Sequence, residues 1–385
     1  MGTLEARAAR LSSAGTGGGH LLCVFQRPVA PWRLWGPAVT IESMTILFGI
    51  LGLGLLMVVH ELGHYLAARA FKMRVTRFSI GFGPALFRHT PKDSPTTYQI
   101  AIIPLLAYVQ IAGMNPLEDV DEKDEGSYAN ASLPGRITTI FAGPLANYLF
   151  ASVLFFASIM IGGQPVPTTK VAVQPNSPAE AAQMKTNDKV VEVAGKPVTE
   201  WEQMRSLIAA SANKPLDVGV ERDGQVIHLT VTPAATSNGE GRIGVGAVYF
   251  TRPAHLREAL GYAVKEPAAV VVGTMVSLGQ MLTGKQKPDL AGPVGIVRET
   301  ARAAESGAAP FLSLLGLISA YLGAFNLLPI PALDGGRLMF LAYEATTRRR
   351  PDPKIEAQVH AVGLFMMLAL VLVVTLVVDI PGRGH

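Results

Sequence analysis

One cysteine, Cys23, is present in 385 residues. It has no intrachain partner for a disulfide, and a zinc site built on paired cysteines is excluded. Charge is also scarce. Asp, Glu, Lys and Arg make up 16% of the chain, against 49% hydrophobic residues. That balance points away from a purely soluble protein. The net charge is only +4. No dense run of Lys and Arg is interleaved with aromatics, so nucleic-acid binding has no support. Residues 1–43 are rich in Gly, Ala and Arg, and lack the basic start, apolar core and cleavage site of a secretory signal. Met44 directly precedes the first apolar run. Residues 1–43 are therefore expected to be a disordered tail or an extension ahead of the true start.

What the chain does have is long apolar segments. Four can span a bilayer: 44–69, 137–161, the apolar start of 311–336, and 359–379. The loop at 70–136 carries Lys72, Arg74, Arg77, Arg88 and Lys92. The loop at 337–358 carries Arg348, Arg349, Arg350 and Lys354. Basic loops stay in the cytoplasm, which leaves both termini and the stretch between Gly162 and Pro310 outside. Within the connector 234–310, the apolar stretch Ala268–Leu282 is bounded by Lys265, Glu266, Lys285 and Lys287. It reads as an amphipathic helix lying on the membrane. The fold class expected is a polytopic α-helical membrane protein with about four transmembrane helices and an inserted α+β domain.

The first apolar run ends in His60-Glu61-Leu62-Gly63-His64. On a helix, HExxH puts two imidazoles one turn apart on one face, the spacing a zinc ion needs, and the glutamate between them can act as general base. Ionisable groups at membrane depth are costly and usually functional. The bland alternative is a polar cluster where a helix leaves the membrane. Catalytic zinc usually keeps three protein ligands. The other histidines, His20, His89, His228, His255, His360 and His385, are scattered and read as surface residues. The best third ligand is Asp334, in Asn326-Leu327-Leu328-Pro329-Ile330-Pro331-Ala332-Leu333-Asp334-Gly335-Gly336. The prolines there prevent a continuous helix, and unwound backbone is tolerated at membrane depth where it lines a polar cavity. A solvated turn aspartate is the alternative.

Residues 166–233 change character. Short β-type runs (170–173, 189–193, 216–220 and 226–231) alternate with turn signals and two helical stretches, one opening on Ser177-Pro178. Asn176-Ser177-Pro178-Ala179, Lys185-Thr186-Asn187-Asp188-Lys189-Val190 and Val193-Ala194-Gly195-Lys196-Pro197-Val198 resemble a PDZ domain of the circularly permuted bacterial type. Such domains bind peptides by strand addition. A small β-rich domain that only packs on the membrane part is the alternative.

Taken together, from Met44 to about Val378, the chain resembles the site-2 protease family of intramembrane zinc metalloproteases, and most of all the bacterial regulator-of-sigma-E protease type with one PDZ domain. The resemblance implies His60, His64 and Asp334 as zinc ligands and Glu61 as catalytic base. It also implies a role for Asn326 in holding the substrate backbone or the oxyanion. Phe141-Ala142-Gly143-Pro144-Leu145-Ala146-Asn147 matches the family's second-span motif, where small residues suit close packing and Asn147 reads as structural. Arg77–Pro84 with Thr97–Pro104 reads as a membrane-associated β-hairpin that pairs with extended substrate, Gly81 and Gly83 fitting the family's GxG. Leu106 and Ala107 stand where relatives have two glycines, a departure that touches the local loop shape. The implied partners are a single-pass transmembrane substrate (an anti-sigma factor after a first cleavage), a peptide or protein ligand of the PDZ domain, and membrane lipids. The implied place is the bacterial cytoplasmic membrane, with the PDZ domain outside. Three other readings stay open. One is a membrane-anchored PDZ scaffold with a vestigial metal site. Another is a metal transporter, which should show paired polar spans or repeats that are not seen. The third is a membrane-anchored protease working in a soluble domain, for which HExxH belongs outside the apolar run.

Overall fold

The structure, a computed structural model, describes residues 41–236, 239–284 and 292–379. The expected N-terminal extension lies almost wholly outside them. Helix α1 (Ile41–Ala70) is followed by the long strands β1 (Val75–His89) and β2 (Thr97–Ile111), and then by α2 (Leu133–Gly162). The N-cap Ser132 accepts from the Gly135 N–H and Pro134 stands in the first turn, both ordinary start signals. An α+β domain comes next, and then α5 (Leu256–Leu282), α6 (Pro293–Glu305), α7 (Ala308–Asn326), α8 (Asp334–Thr347) and α9 (Pro353–Val374), whose last turn runs on to Asp379.

Among the described residues, five helices are long and apolar enough to cross a membrane: α1, α2, α5, α7 and α9. The sequence reading expected about four, with 268–282 lying on the surface. The additional candidate, by length and composition, is α5. Lys265, Glu266 and Pro267 interrupt its apolar run in sequence, but the helix continues through them from Leu256. It packs into the bundle, with the Tyr262 ring edge-on to Phe155 of α2 at 6.0 Å and Val270 against the Ala151–Phe155–Ala320 cluster. Large apolar side chains such as Leu51 and Leu55 of α1, Leu149 and Val153 of α2, and Phe365 and Met366 of α9 remain exposed. Surfaces of that kind fit lipid rather than water.

β1 and β2 do not form a flat hairpin. Phe78 pairs with both Val109 and Tyr98, while Phe87 and His89 pair with Ile100 and Tyr98. Each long strand therefore folds over on itself. The lateral order is 107–111, 75–80, 97–101, 85–89. The bend in β1 falls at Gly81 and Gly83, with φ of +92° and +95°, a region that favours glycine. A Cβ on Gly81 would also stand 2.8 Å from the Ala101 carbonyl oxygen. The 107–111 edge lies along α1, where Gly54 lets the helix approach the Pro104 carbonyl.

The α+β domain is a curled antiparallel sheet of β3 (Gln164–Val173), β4 (Lys189–Val193), β5 (Lys196–Pro197), β6 (Leu216–Arg222), β7 (Gln225–Val231) and β10 (Val245–Arg252). The strand order is β10-β3-β4-β6-β7, with β5 on β4. A short pair, β8 (Ala234–Ala235) with β9 (Gly241–Arg242), stands apart. Helices α3 (Pro178–Ala181) and α4 (Trp201–Ala209) close the core of Val171, Met184, Val190, Val193, Met204, Val218, Val220 and Ile243. The sheet recruits 245–252 from the stretch read as connector. Gln164 opposite Arg252 brings the start and the end of the domain together.

Candidate metal centre

His60 and His64 sit one turn apart on α1, and both are buried. His60 stands nine residues before Arg69 in the helix's last turn, about 14 Å along the axis. Asp334 arrives from the far end of the sequence, in the first turn of α8. Between Asn326 and Asp334 the backbone leaves the helix at Leu328-Pro329-Ile330-Pro331, and Ala332 takes a φ of +75°. His360 of α9 accepts the Ala332 N–H through Nδ1 at 3.0 Å, and Gly363 lets α9 close on Pro331. His360 was expected at the surface. It is half-buried instead and holds the turn that carries Asp334. His228 likewise gains partners, since cross-strand pairing brings Glu192, Asp217 and His228 within 4.8 Å on the domain's outer surface. Strand neighbours of that kind are distant in sequence, which is why spacing alone missed them.

The three expected ligands converge. Nε2 of His60 lies 3.1 Å from Asp334 Oδ2, Nε2 of His64 lies 3.3 Å from the same oxygen, and the two Nε2 atoms are 3.2 Å apart. Tetrahedral zinc with arms of about 2.0 Å separates its ligand atoms by about 3.3 Å, so the triangle fits the ion. Asp334 Oδ2 is buried and accepts no hydrogen bond of acceptable geometry. Such an orphan is costly unless an ion satisfies it. Second contacts suit the same chemistry. Nδ1–H of His64 donates to the Thr139 carbonyl at 2.8 Å, which leaves its Nε2 lone pair free. Nδ1 of His60 faces the fully buried amide of Asn147 at 3.2 Å.

Close approach of α1 and α2 makes this possible. A Cβ on Gly63 would stand 2.2 Å from the Ala142 carbonyl oxygen, and one on Gly143 would stand 2.3 Å from His64 Nε2. Glu61 is tied elsewhere: its Oε2 accepts the Val109 N–H at 2.9 Å, from the 107–111 edge of the hairpin. The Asn326 amide points away from ligand duty, donating to Leu322 O in its own helix at 2.9 Å. Gly81 and Gly83 lie in the hairpin bend. The sequence reading missed Thr139, which contributes only a backbone oxygen, and Val109, which contributes only an amide. Asn147, polar in an apolar span and read from the sequence as structural, does carry a signal.

α8 is fixed to α2 by a bidentate pair. Arg136 Nη1 donates to Glu344 Oε2 at 3.0 Å and Nη2 donates to Oε1, with side chains 9% and 12% exposed. Breaking a buried pair by removing one partner costs about 3–5 kcal/mol. Arg136→Ala is therefore expected to lower the unfolding temperature markedly in detergent. A thermal melt unchanged from wild type would show that α8 is held by other contacts.

Residues 48–370 match the family described as Peptidase family M50. The chain belongs to peptidase family M50. A candidate zinc metalloprotease of Rhizobium meliloti strain 1021 is 32% identical over 343 residues, covering 83% of this chain and 91% of that protein. Zinc metalloprotease RasP of Geobacillus kaustophilus strain HTA426 is 31% identical over 414 residues, covering 87% and 97%. A candidate zinc metalloprotease of Nostoc sp. strain PCC 7120 is 33% identical over 344 residues, covering 85% and 93%. As a member of this site-2 protease family, the chain is a zinc metalloprotease, and its five apolar helices make it a multi-pass membrane protein.

Proposed function

We propose that this M50 protease cuts single-pass membrane proteins within their transmembrane segments. His60, His64 and Asp334 hold its zinc, and Glu61 is the catalytic base. The observation that carries this reading is the buried triangle of His60, His64 and Asp334, about 14 Å inside the basic end of α1. When bound, zinc supplies Lewis-acid polarisation of the scissile carbonyl and lowers the pKa of a coordinated water.

The chain's own groups do the rest. A peptide bond inside a helix is shielded, so the substrate must unwind. The extended segment pairs with the hairpin around Gly81–Gly83, whose 107–111 edge lies beside Glu61. Gly81 and Gly83 give the sheet the bend that presents it. The Val109 N–H holds Oε2 of Glu61, leaving Oε1 to take the proton from water and deliver it to the leaving amine. One amide hydrogen of Asn326 is engaged by Leu322 O. The other is available to the developing oxyanion.

The α+β domain is a PDZ domain in this reading, supported by its strand order, with the helix opening on Ser177-Pro178 and α4 flanking the sheet. It stands outside the cytoplasmic membrane of a bacterium and acts as a gate. The gate admits substrates already shortened by another protease, anti-sigma factors being the expected instance. A deletion that tests the gate should remove 164–252, because cutting at Pro233 would strip β10 of its partner β3. In liposomes, the full chain is expected to cut only a shortened single-pass substrate, and the 164–252 deletion to cut the unshortened one as well. If the deletion still spares unshortened substrate while cutting the short form, the gate is wrong. If zinc-loaded full chain cuts neither, the proposed substrate class is wrong.

A further inference from the structure

We propose that Asn147 is a positioning residue for the metal. Its amide oxygen accepts the Nδ1 proton of His60 and so fixes the tautomer that leaves Nε2 free to bind zinc. The inference rests on His60 being a ligand. A neutral imidazole carries one ring proton. If Nε2 is to donate a lone pair to a metal, the proton must be on Nδ1 and must find an acceptor. His64 meets that requirement with a group that can only accept, the Thr139 carbonyl at 2.8 Å. The corresponding neighbour of His60 is the Asn147 side chain at 3.2 Å.

An amide can present either of its ends, and its oxygen and nitrogen are told apart only by their hydrogen bonds. With Nδ2 toward the ring, Nδ1 would be the acceptor and the proton would sit on Nε2, blocking the lone pair in the middle of the triangle. In that arrangement Oδ1 is buried and has no partner, so no second hydrogen bond fixes that end of the amide toward His60. Turning the amide through 180° puts Oδ1 on Nδ1–H and makes His60 match His64. The residue itself is well anchored. It is fully buried, its backbone carbonyl accepts from Ser319 Oγ of α7 at 2.8 Å, and Gly323 of α7 packs against its Cβ. α7 therefore sets where the amide stands, and the metal sets which end faces His60.

Two substitutions separate acceptor from donor. Asn147→Leu keeps the volume and loses both ends. Asn147→Asp keeps only acceptors. The readout is the zinc dissociation constant of the full chain in detergent, by competition with a chelator, with thermal unfolding of the zinc-free proteins as the check on folding. Asn147→Leu is expected to weaken zinc by about 10–100-fold, while Asn147→Asp stays within a few-fold of wild type. Equal weakening in both variants would overturn the proposal, because it would mean that the amide donates. Wild-type affinity in Asn147→Leu would overturn it too. His60→Ala is run alongside. If it binds zinc as wild type does, the ligand reading has failed, a result distinct from failure at Asn147. Should Asn147→Leu not fold, nitrogen-labelled histidine gives a second test. In zinc-loaded protein the His60 Nδ1–H resonance is expected to move downfield in Asn147→Asp. An unmoved resonance would overturn the proposal.

Discussion

Glu61→Gln is expected to fold, to keep its zinc and to lose cleavage by roughly 10²–10⁴-fold. The substitution is nearly isosteric and leaves His60, His64 and Asp334 untouched. The amide oxygen it introduces can still accept the Val109 N–H, so the hairpin edge that Glu61 anchors should stay in place. What disappears is a group able to take a proton from water and return it to the leaving amine. The paired measurements are zinc by elemental analysis and product by gel, on the same preparation. Zinc with no product supports Glu61 as base. Wild-type turnover would remove Glu61 from the mechanism. Loss of zinc along with turnover would mean that the side chain holds the site together rather than working in it.

Gly143→Ala is expected to strip most of the zinc while adding a single methyl group. Its Cβ would lie 2.3, 2.5 and 2.9 Å from Nε2, Cε1 and Cδ2 of the His64 ring, separations that real contacts do not reach. The ring has little room to yield, because its other nitrogen is fixed on Thr139 O and its helix is pressed against α2 at Gly63. Relief must come from moving His64 out of the triangle or from parting α1 and α2. Either removes a ligand atom from its place. Ala146→Gly, on the same helix, is the control: it loosens the contact with Gly63 and puts nothing against a ligand. Full zinc occupancy in Gly143→Ala would show that the two helices can part without losing the site.

The site was more legible than the fold. HExxH declares itself because two histidines and a glutamate in an apolar helix have little other use, and Asp334 follows from its prolines and the apolar segment before it. Neither inference needed distances. The groups that tune the site were harder to see. Thr139 and Val109 act through backbone atoms, which any residue supplies, and His360 looked isolated because its partner, Ala332, is another backbone group. In the fold, Lys265, Glu266 and Pro267 split the apolar run of α5, so the sequence shows only its 268–282 part as a helix and not the start at Leu256. The hairpin's double fold was hidden because alternation along a strand does not say how often the strand pairs. Gly81 and Gly83 marked the bend, but only the register identifies 107–111 as the edge beside Glu61.

The most direct test of the account is to map the cut. A zinc-loaded full chain in liposomes, given a single-pass substrate without its outer domain, should release two fragments whose new ends, read by mass spectrometry, fall inside the apolar segment, and Glu61→Gln should release neither. A cut found only outside the apolar segment, or one that persists in Glu61→Gln, would contradict the claim that this triangle works on peptide bonds within the membrane.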